Sequence, residues 1–323
     1  MENMIYKLIL GAILSFAISV VIAPMLIPVL HKLKFGQEIR EIGPKWHQKK
    51  SGTPTMGGII FIIPVLVCSL LFVRNMTGLC MVLFGTAFGL VGFVDDYIKV
   101  VKKRNLGLTE KQKLILQIGA SVIFLYVGMH YGIITSEVFI PFAKITVDFG
   151  YLYIPFALVV LLGTTNAVNL TDGIDGLATS VTAVVAVVFA VLSYLMGNIA
   201  TMEFALILLG GCIGFYMFNK HPAKVFMGDT GSLFLGGSVC ALALVLGQPL
   251  LLVIIGGVYV IETASVIIQV TSFKLTGKRV FRMSPIHHHF EMGGWSERKI
   301  VTVAVSLSVV LGIIAVLGGV NIG

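Results

Sequence analysis

Charged residues are scarce in this sequence of 323 amino acids, since Asp, Glu, Lys and Arg together make up 12% of it, against roughly 25% in typical soluble proteins. Hydrophobic residues make up 57% and the mean hydropathy is +0.99, which excludes an ordinary soluble enzyme. The four cysteines lie inside apolar runs without metal-ligand spacing, so we interpret them as small hydrophobic side chains. The polar segments also lack a GxxxxGKS/T or GxGxxG run, which excludes a nucleotide-binding P-loop.

Ten apolar runs follow one another along the chain. Because a helix needs about 20 apolar residues to cross the hydrocarbon core, they predict an all-α polytopic membrane protein, with a single integral membrane domain over residues 1–323. Alternating apolar residues in 135–150 predict a small periplasmic β-hairpin. The expected spans are 5–30, 56–73, 79–94, 114–133, 152–170, 176–196, 202–218, 232–247, 250–271 and 300–320.

Lysine and arginine are distributed unevenly between the loops that join these spans. Loops on one side hold 20 of the 23 basic residues, and the positive-inside rule assigns that side to the cytoplasm. With ten spans, both termini are then outside. Topology and contact with anionic lipids account for the net charge of +8, so no nucleic-acid partner is expected. The cytoplasmic loops are expected near 31–55, 95–113, 171–176, 219–231 and 273–299.

Polar clusters mark four of the span ends on the predicted cytoplasmic side. Their sequences are VDDYIK, NLTDGIDG, FMGDTGS and PIHHHFE. A charge at the bilayer centre costs roughly 2.5–3.5 kcal/mol, which explains why acids lie at helix ends but gives no reason for four clusters to share one side. We therefore predict that the clusters form a single site.

Two of the clusters, taken alone, also have a structural interpretation. Asp95 and Asp96 lie four and three residues before Lys99, so a solvated ion pair at a helix end explains them equally well. Asn169 and Asp172 share a helical face, and both residue types are favoured as helix caps.

The other polar groups leave similar alternatives open. Asp229 lies between glycines before an apolar run, where it either caps the helix or holds Mg²⁺ against a phosphate. The three consecutive histidines 287–289 point in different directions, which argues against zinc and for hydrogen bonds to a phosphate. Glu262 is the one acid expected deep in a span; it is either functional or bonded to a neighbouring helix.

The four sequences, in this order on ten spans, resemble the polyprenyl-phosphate N-acetylhexosamine-phosphate transferases over essentially the whole chain. The HHHFE form is characteristic of the phospho-N-acetylmuramoyl-pentapeptide-transferase branch of that family. The resemblance implies Mg²⁺-dependent transfer of phospho-N-acetylmuramoyl-pentapeptide from UDP-MurNAc-pentapeptide to undecaprenyl phosphate, with lipid I and UMP as products. It also implies a homodimer in the bacterial inner membrane, with a role in peptidoglycan synthesis, cell shape and division.

The matching motifs imply a role for each candidate residue. Asp229 is the expected magnesium ligand, and Asp95 or Asp96 the base that deprotonates the lipid phosphate. Lys99 and Lys111 are expected to offset the repulsion between phosphates, about 4 kcal/mol for unit charges 4 Å apart at an effective dielectric of 20. The residues expected to bind substrate are Asn169, Asp172, Asn219, Gln269, His288, His289 and Lys49.

Three alternatives stay open from the sequence. A covalent aspartyl phosphate would give a two-step route in place of direct attack by the lipid phosphate. The sister enzymes that transfer phospho-N-acetylglucosamine use similar aspartates, although HHHFE argues against them. An ion-coupled transporter would place charges near the midplane on broken helices, and only Glu262 is expected there.

Overall fold

Twelve α-helices and one β-hairpin make up the structure, a computed structural model that describes residues 2–32, 52–101 and 107–319. Within these ranges nine helices are long and apolar enough to cross a membrane. They and the shorter apolar helix α2 correspond to the ten expected spans, so the polytopic all-α membrane fold is confirmed. The helices are α1 (Glu2–Lys32), α2 (Ile59–Phe72), α3 (Met76–Val101), α4 (Glu110–His130), α5 (Tyr153–Thr171), α6 (Leu177–Leu195), α7 (Ile199–Asn219), α8 (Gly228–Val245), α9 (Leu252–Ile255), α10 (Gly257–Thr276), α11 (Ile286–Glu291) and α12 (Glu297–Gly319).

Helix α2 begins later than its apolar run. It has 14 residues, about 21 Å of helix, whereas the hydrocarbon core is about 30 Å thick. The residues before it pair with the loop before α8: Gly57 N–H donates to Phe226 O (2.8 Å), Gly58 N–H to Met227 O (3.0 Å), and Phe226 N–H to Pro54 O (2.8 Å). This pairing brings the start of α2 to the start of α8.

The ninth expected span is broken rather than continuous. Helix α9 ends at Ile255 and α10 begins at Gly257. Helix α10 continues to Thr276 and ends at Gly277, which has a φ of +68°, a conformation that favours glycine. The short helix α11, which carries the three histidines, follows within the next loop.

Helix α8 lies at the centre of the bundle. In its apolar stretch 83% of the residues are buried, against 22% in α1. Many large apolar side chains of the outer helices are exposed, including Ile123 of α4 and Leu317 of α12, as expected for helices that face lipid. The polar first turn of α8 is therefore surrounded by other helices.

The β-hairpin lies at the other end of α8. Strands β1 (Glu137–Ile140) and β2 (Ile145–Asp148) are antiparallel, with Glu137 opposite Asp148. The hairpin is attached by Phe139 N–H, which donates to Gly247 O (3.3 Å) just beyond α8. Hydrogen bonds from the Ser136 hydroxyl and the Gly150 N–H lower the pKa of Asp148. The predicted hairpin is confirmed, and α8 separates it from the polar clusters.

Candidate active site

Asp96 joins the last turns of α3 to the first turn of α8. One of its carboxylate oxygens accepts from the backbone N–H of Asp229 (3.2 Å), and the other accepts from the N–H (2.9 Å) and hydroxyl (2.7 Å) of Thr230. Asp96 is buried, and its charge interacts favourably with the amino-terminal end of the α8 dipole. Asp96 therefore caps α8 from a neighbouring helix, and the side chain of Asp229 points elsewhere.

Glycines allow this close approach of α3 and α8. A Cβ on Gly92 would overlap the backbone carbonyl of Asp229. Gly228 has a φ of +70°, and a Cβ there would lie 2.5 Å from the Asp96 carboxylate. Side chains at either position would push the two helices apart, so these glycines set the distance between their acids.

Asp229 receives hydrogen bonds from three different helices. Its Oδ2 accepts from Lys99 Nζ of α3 and from Lys113 Nζ of α4, both at 2.9 Å. Its Oδ1 accepts from Asn169 Nδ2 of α5 (2.8 Å), which also donates to the hydroxyl of Ser232 (2.7 Å). The carboxylate of Asp229 is thus the point where α3, α4, α5 and α8 meet.

Asp95 lies on the other side of the same lysine. Its Oδ2 is 2.6 Å from Lys99 Nζ, and its Oδ1 accepts from the backbone N–H of Leu108 (2.7 Å). A Cβ on Gly107 would lie against this carboxylate. Asp95 is buried, whereas the Lys99 side chain is 38% exposed, so this ion pair lies at the boundary between the protein interior and solvent.

The cluster has the composition of a divalent-cation site. Oxygen atoms of Asp95, Asp96 and Asp229 lie within 4.8 Å of one another, and the formal charges of the three carboxylates and of the Lys99 and Lys113 ammonium groups sum to −1. Carboxylate oxygens are the ligands that Mg²⁺ prefers. The Asp229 side chain is 18% exposed, against 3% for Asp95. These residues therefore fit a magnesium ion with Asp229 as the accessible ligand.

The lysine from α4 differs from the expected one. Lys111 is exposed on the first turn of α4, whereas Lys113 binds Asp229. Side chains two positions apart on an α-helix point in directions that differ by about 200°, so only one of these lysines can face the cluster. Lys49 lies outside the described residues.

Asp172 follows directly after α5, close to the three clustered acids. Burial is the main cause that raises its pKa well above the ordinary value, and repulsion by Asp229, Asp96 and Asp175 adds to it. Asn169, one turn earlier, uses its side chain on Asp229 and Ser232. The two residues that the sequence also allowed as helix caps therefore belong to the electrostatic environment of the cluster.

The first histidine of HHHFE connects this motif to NLTDGIDG. His287 is buried, and its Nδ1 lies 2.9 Å from Glu262 Oε2 in α10. A Cβ on Gly173 would overlap the His287 ring, so the ring packs directly on the loop after α5. The Glu262 side chain is thus bonded to the neighbouring helix α11, as the structural alternative from the sequence allowed.

The next two histidines have partners of their own. His288 Nδ1 lies 2.7 Å from Glu291 Oε2, and His289 Nδ1 accepts from the backbone N–H of Arg282 (3.1 Å). Both histidines are partly exposed. His288 and His289 therefore lie on the more exposed part of the motif, whereas His287 is enclosed.

Gln269 and Asn219 hold loops beside the site. Gln269 Oε1 accepts from the backbone N–H groups of Val280 (3.0 Å) and Phe281 (2.9 Å), and its Nε2 donates to Phe281 O (3.0 Å). Asn219 Nδ2 donates to Val225 O (3.0 Å), and its Oδ1 accepts from the Thr179 hydroxyl (2.8 Å). Both side chains are already engaged with protein groups.

A second polar cluster lies beside the first. His221 Nδ1 is 3.0 Å from Asp175 Oδ2 and 3.5 Å from Glu297 Oε2, and the Asp175 N–H donates to Glu297 (3.1 Å). Asp175 also accepts from the N–H of Ala223 (3.0 Å). It joins the NLTDGIDG loop, the loop before α8 and the start of α12. Sequence reasoning missed this group because its members are 46 and 122 residues apart.

Comparison with known proteins defines the class first. A family model described as glycosyl transferase family 4 matches residues 78–247, more than half of the chain. This region contains Asp95, Asp96, Lys99, Lys113 and Asp229. A second model, phospho-N-acetylmuramoyl-pentapeptide-transferase signature 1, matches residues 50–62, a segment that our sequence analysis did not single out and that includes the strand-like pairing before α2. The molecule is therefore a membrane-embedded transferase.

Full-length relatives define the branch. The phospho-N-acetylmuramoyl-pentapeptide-transferase of Halalkalibacterium halodurans is 50% identical over 314 residues, 96% of each chain. The protein with this name from Clostridium beijerinckii is 53% identical over 312 residues, 95% of each chain, and that from Clostridium perfringens strain 13 is 50% identical over 311 residues, 96% of this chain and 98% of its own. The chain belongs to the phospho-N-acetylmuramoyl-pentapeptide-transferase family and is an enzyme.

Proposed function

We propose that this enzyme transfers phospho-N-acetylmuramoyl-pentapeptide from UDP-MurNAc-pentapeptide to undecaprenyl phosphate, forming lipid I and UMP for peptidoglycan synthesis. The names of its relatives supply the transferred group. The observation that carries the proposal is the convergence of three carboxylates and two lysines at the buried first turn of α8. A reaction between phosphates needs such an arrangement of cations and ordered carboxylates.

Direct attack is the route that we infer. A phosphate oxygen of undecaprenyl phosphate forms a bond to the sugar-linked phosphorus, and the bond from that phosphorus to the UMP oxygen breaks, so UMP leaves with the electron pair. Lys99 and Lys113 would neutralise the approaching phosphates, because each ammonium is held at the cluster by Asp229. The acceptor phosphate is itself the nucleophile, so a covalent intermediate on the protein is not needed.

Asp95 is the better candidate for the base. Asp96 accepts three hydrogen bonds from the first turn of α8. Protonation of this carboxylate would disrupt its hydrogen bonds to that helix. Asp95 has one oxygen on Lys99, whose side chain is 38% exposed, and the other on the backbone N–H of Leu108. We infer that Asp95 accepts the proton and that Asp96 positions Asp229.

Magnesium is part of the proposal. Asp229 would hold the ion, and the bound ion would supply charge neutralisation to the phosphates. Since Lys99 and Lys113 both occupy Asp229 Oδ2, metal binding at this oxygen requires at least one ammonium group to move.

The remaining substrate contacts are inferred from the motifs. His288 and His289 are proposed to bind the diphosphate or the sugar, and Asp172 and Asn169 the nucleotide side. Asn219 and Gln269 would contribute through the loops that they anchor, while Lys49 and Lys111 would attract anionic substrates electrostatically. We further propose, from the family resemblance, a homodimer in the bacterial inner membrane. The charge distribution between loops supports a site that faces the cytoplasm and termini that lie outside.

The test is UMP release by the purified protein in detergent with undecaprenyl phosphate. UDP-MurNAc-pentapeptide and UDP-N-acetylglucosamine are compared as donors, each with and without Mg²⁺. We expect metal-dependent release from the muramoyl-pentapeptide donor alone. Release only from the glucosamine donor would move the enzyme to the sister class, and release without added metal in the presence of a chelator would overturn the magnesium assignment.

A further inference from the structure

Two side-chain amides join α4 to α5 within the bundle. Asn166 Nδ2 donates to Gln117 Oε1 (2.9 Å), and Gln117 Nε2 donates to Asn166 Oδ1 (3.4 Å). Asn166 Nδ2 also donates to the carbonyl of Leu162 (2.8 Å). Gln117 is 1% exposed, and an amide that is buried in an apolar environment is stable only when its polar atoms have partners. The two residues therefore require each other, and we call them the amide pair.

The amide pair lies directly behind two groups that bind Asp229. Gln117 follows Lys113 by four residues on α4, and Asn166 precedes Asn169 by three on α5. At these spacings, residues of an α-helix share a face and lie about one turn apart. Lys113 binds one carboxylate oxygen of Asp229 and Asn169 binds the other. The amide pair thus lies about one helical turn from each of the two side chains that bind the carboxylate oxygens of Asp229.

We propose that Gln117 and Asn166 are positioning residues of the transferase, which fix the register of α4 against α5 and thereby hold Lys113 and Asn169 on Asp229. The inference rests on the proposed function, since it takes Asp229 as the centre of the reacting site. A change in register moves the ammonium and the amide together, and a displacement of about 1 Å in a catalytic constellation can reduce the rate about 100-fold.

The experiment compares disrupting, restoring and control variants. Gln117→Leu breaks the amide pair, and the double variant Gln117→Asn with Asn166→Gln exchanges the two amides and keeps the combined length of the side chains. The matched control is Gln248→Leu. Gln248 is also buried and donates to the carbonyl of Gly319 (3.2 Å), but it lies beyond the other end of α8, an 18-residue helix of about 27 Å.

Two readouts are measured on each variant in detergent. The first is kcat and KM for UMP release. The second is the rate at which an amine-reactive acetylating reagent modifies Lys113, monitored by peptide mass spectrometry. In Gln117→Leu we expect kcat to fall about 10- to 100-fold, with KM for the donor unchanged and faster acetylation of Lys113. The exchange variant should regain most of the rate, and Gln248→Leu should match the wild type.

Different outcomes would contradict the positioning role and the proposed function. Unchanged kcat and unchanged acetylation in Gln117→Leu would overturn the positioning role, as would an equal loss of kcat in Gln248→Leu, which would indicate a general loss of packing. If the wild type itself released no UMP, the proposed function would fail. The acetylation of Lys113 would then still decide whether the amide pair holds this lysine on Asp229.

Discussion

Replacement of Lys113 by methionine tests the geometry of the cluster most directly, because the sequence offers its own control two residues earlier. Lys113 Nζ lies 2.9 Å from Asp229 Oδ2, and both side chains are 18% exposed. Lys111 is exposed on the opposite face of the same helical turn. Methionine keeps most of the length of the lysine side chain and removes the charge, so the two variants differ only in which ammonium group is lost.

The expected magnitude follows from the partial burial of the contact. Hydrogen bonds to charged groups contribute about 1.5–3 kcal/mol net, which corresponds to about 10- to 150-fold in rate. We therefore expect Lys113→Met to reduce kcat/KM for UMP release by about this factor, and Lys111→Met to change it less than about threefold, as for a surface charge worth under 1 kcal/mol. Lys113→Met should also bind Mn²⁺ more tightly, because one competitor for Asp229 Oδ2 is gone.

The assay is UMP release across a range of donor concentrations, with Mn²⁺ affinity measured separately by electron paramagnetic resonance. Melting curves for the two variants in detergent control for loss of fold. A larger loss in Lys111→Met than in Lys113→Met would refute the reasoning, since it would mean that the other face of α4 meets the phosphates. Weaker Mn²⁺ binding in Lys113→Met would show that the lysine supports the metal and does not compete with it.

Three further predictions follow from neighbouring contacts. Asp96→Asn should lower the Tm, because it weakens a buried helix cap at a cost of about 1–3 kcal/mol. Asp95→Asn should instead abolish turnover with little change in Tm. Melting curves and UMP release on the same samples test both variants, and equal effects would contradict the separate roles of the two acids. Gly92→Ala should destabilise the protein by about 1–3 kcal/mol, because its methyl group would overlap the carbonyl of Asp229, and a wild-type melting curve would argue against this contact. Burial raises the pKa of Asp172 well above its ordinary value of 3.8, so above pH 3.8 ionisation of this carboxyl group opposes folding. Asp172→Asn should therefore raise the Tm near about pH 8, and this gain in Tm should disappear as the pH falls toward about 4. A gain in Tm that does not depend on pH would exclude the link between folding and the ionisation of Asp172.

The spans and the hairpin could be predicted because they depend on local sequence. Apolar runs of about 20 residues have few alternatives to a membrane helix, and alternation over 135–150 has the period of a strand. The late start of α2 could not be predicted in this way. Residues 56–58 extend the apolar run, but the backbone N–H groups of Gly57 and Gly58 pair with residues 226 and 227, and such long-range pairing leaves no periodic signal.

The candidate site could be predicted as a set of motifs but not as a set of contacts. Asp96 and Thr230 are 134 residues apart, and their hydrogen bonds depend on how α3 packs on α8. The choice between Lys111 and Lys113 depends in the same way on the rotation of α4 about its axis, which the sequence of one helix does not determine. The pairing of Glu262 with His287 depends on how α11 folds back on α10.

The glycines near the acids of the site have a structural role, which is to let other parts of the chain come close. A Cβ on Gly173 would meet the His287 ring, one on Gly92 the Asp229 carbonyl, and one on Gly58 the backbone of Gly231. In each case the missing side chain admits another part of the same chain. Glycine is therefore required here because the acids can converge only if the helix backbones touch. A substitution at these positions should act on the distances between Asp95, Asp96 and Asp229 before it acts on any substrate.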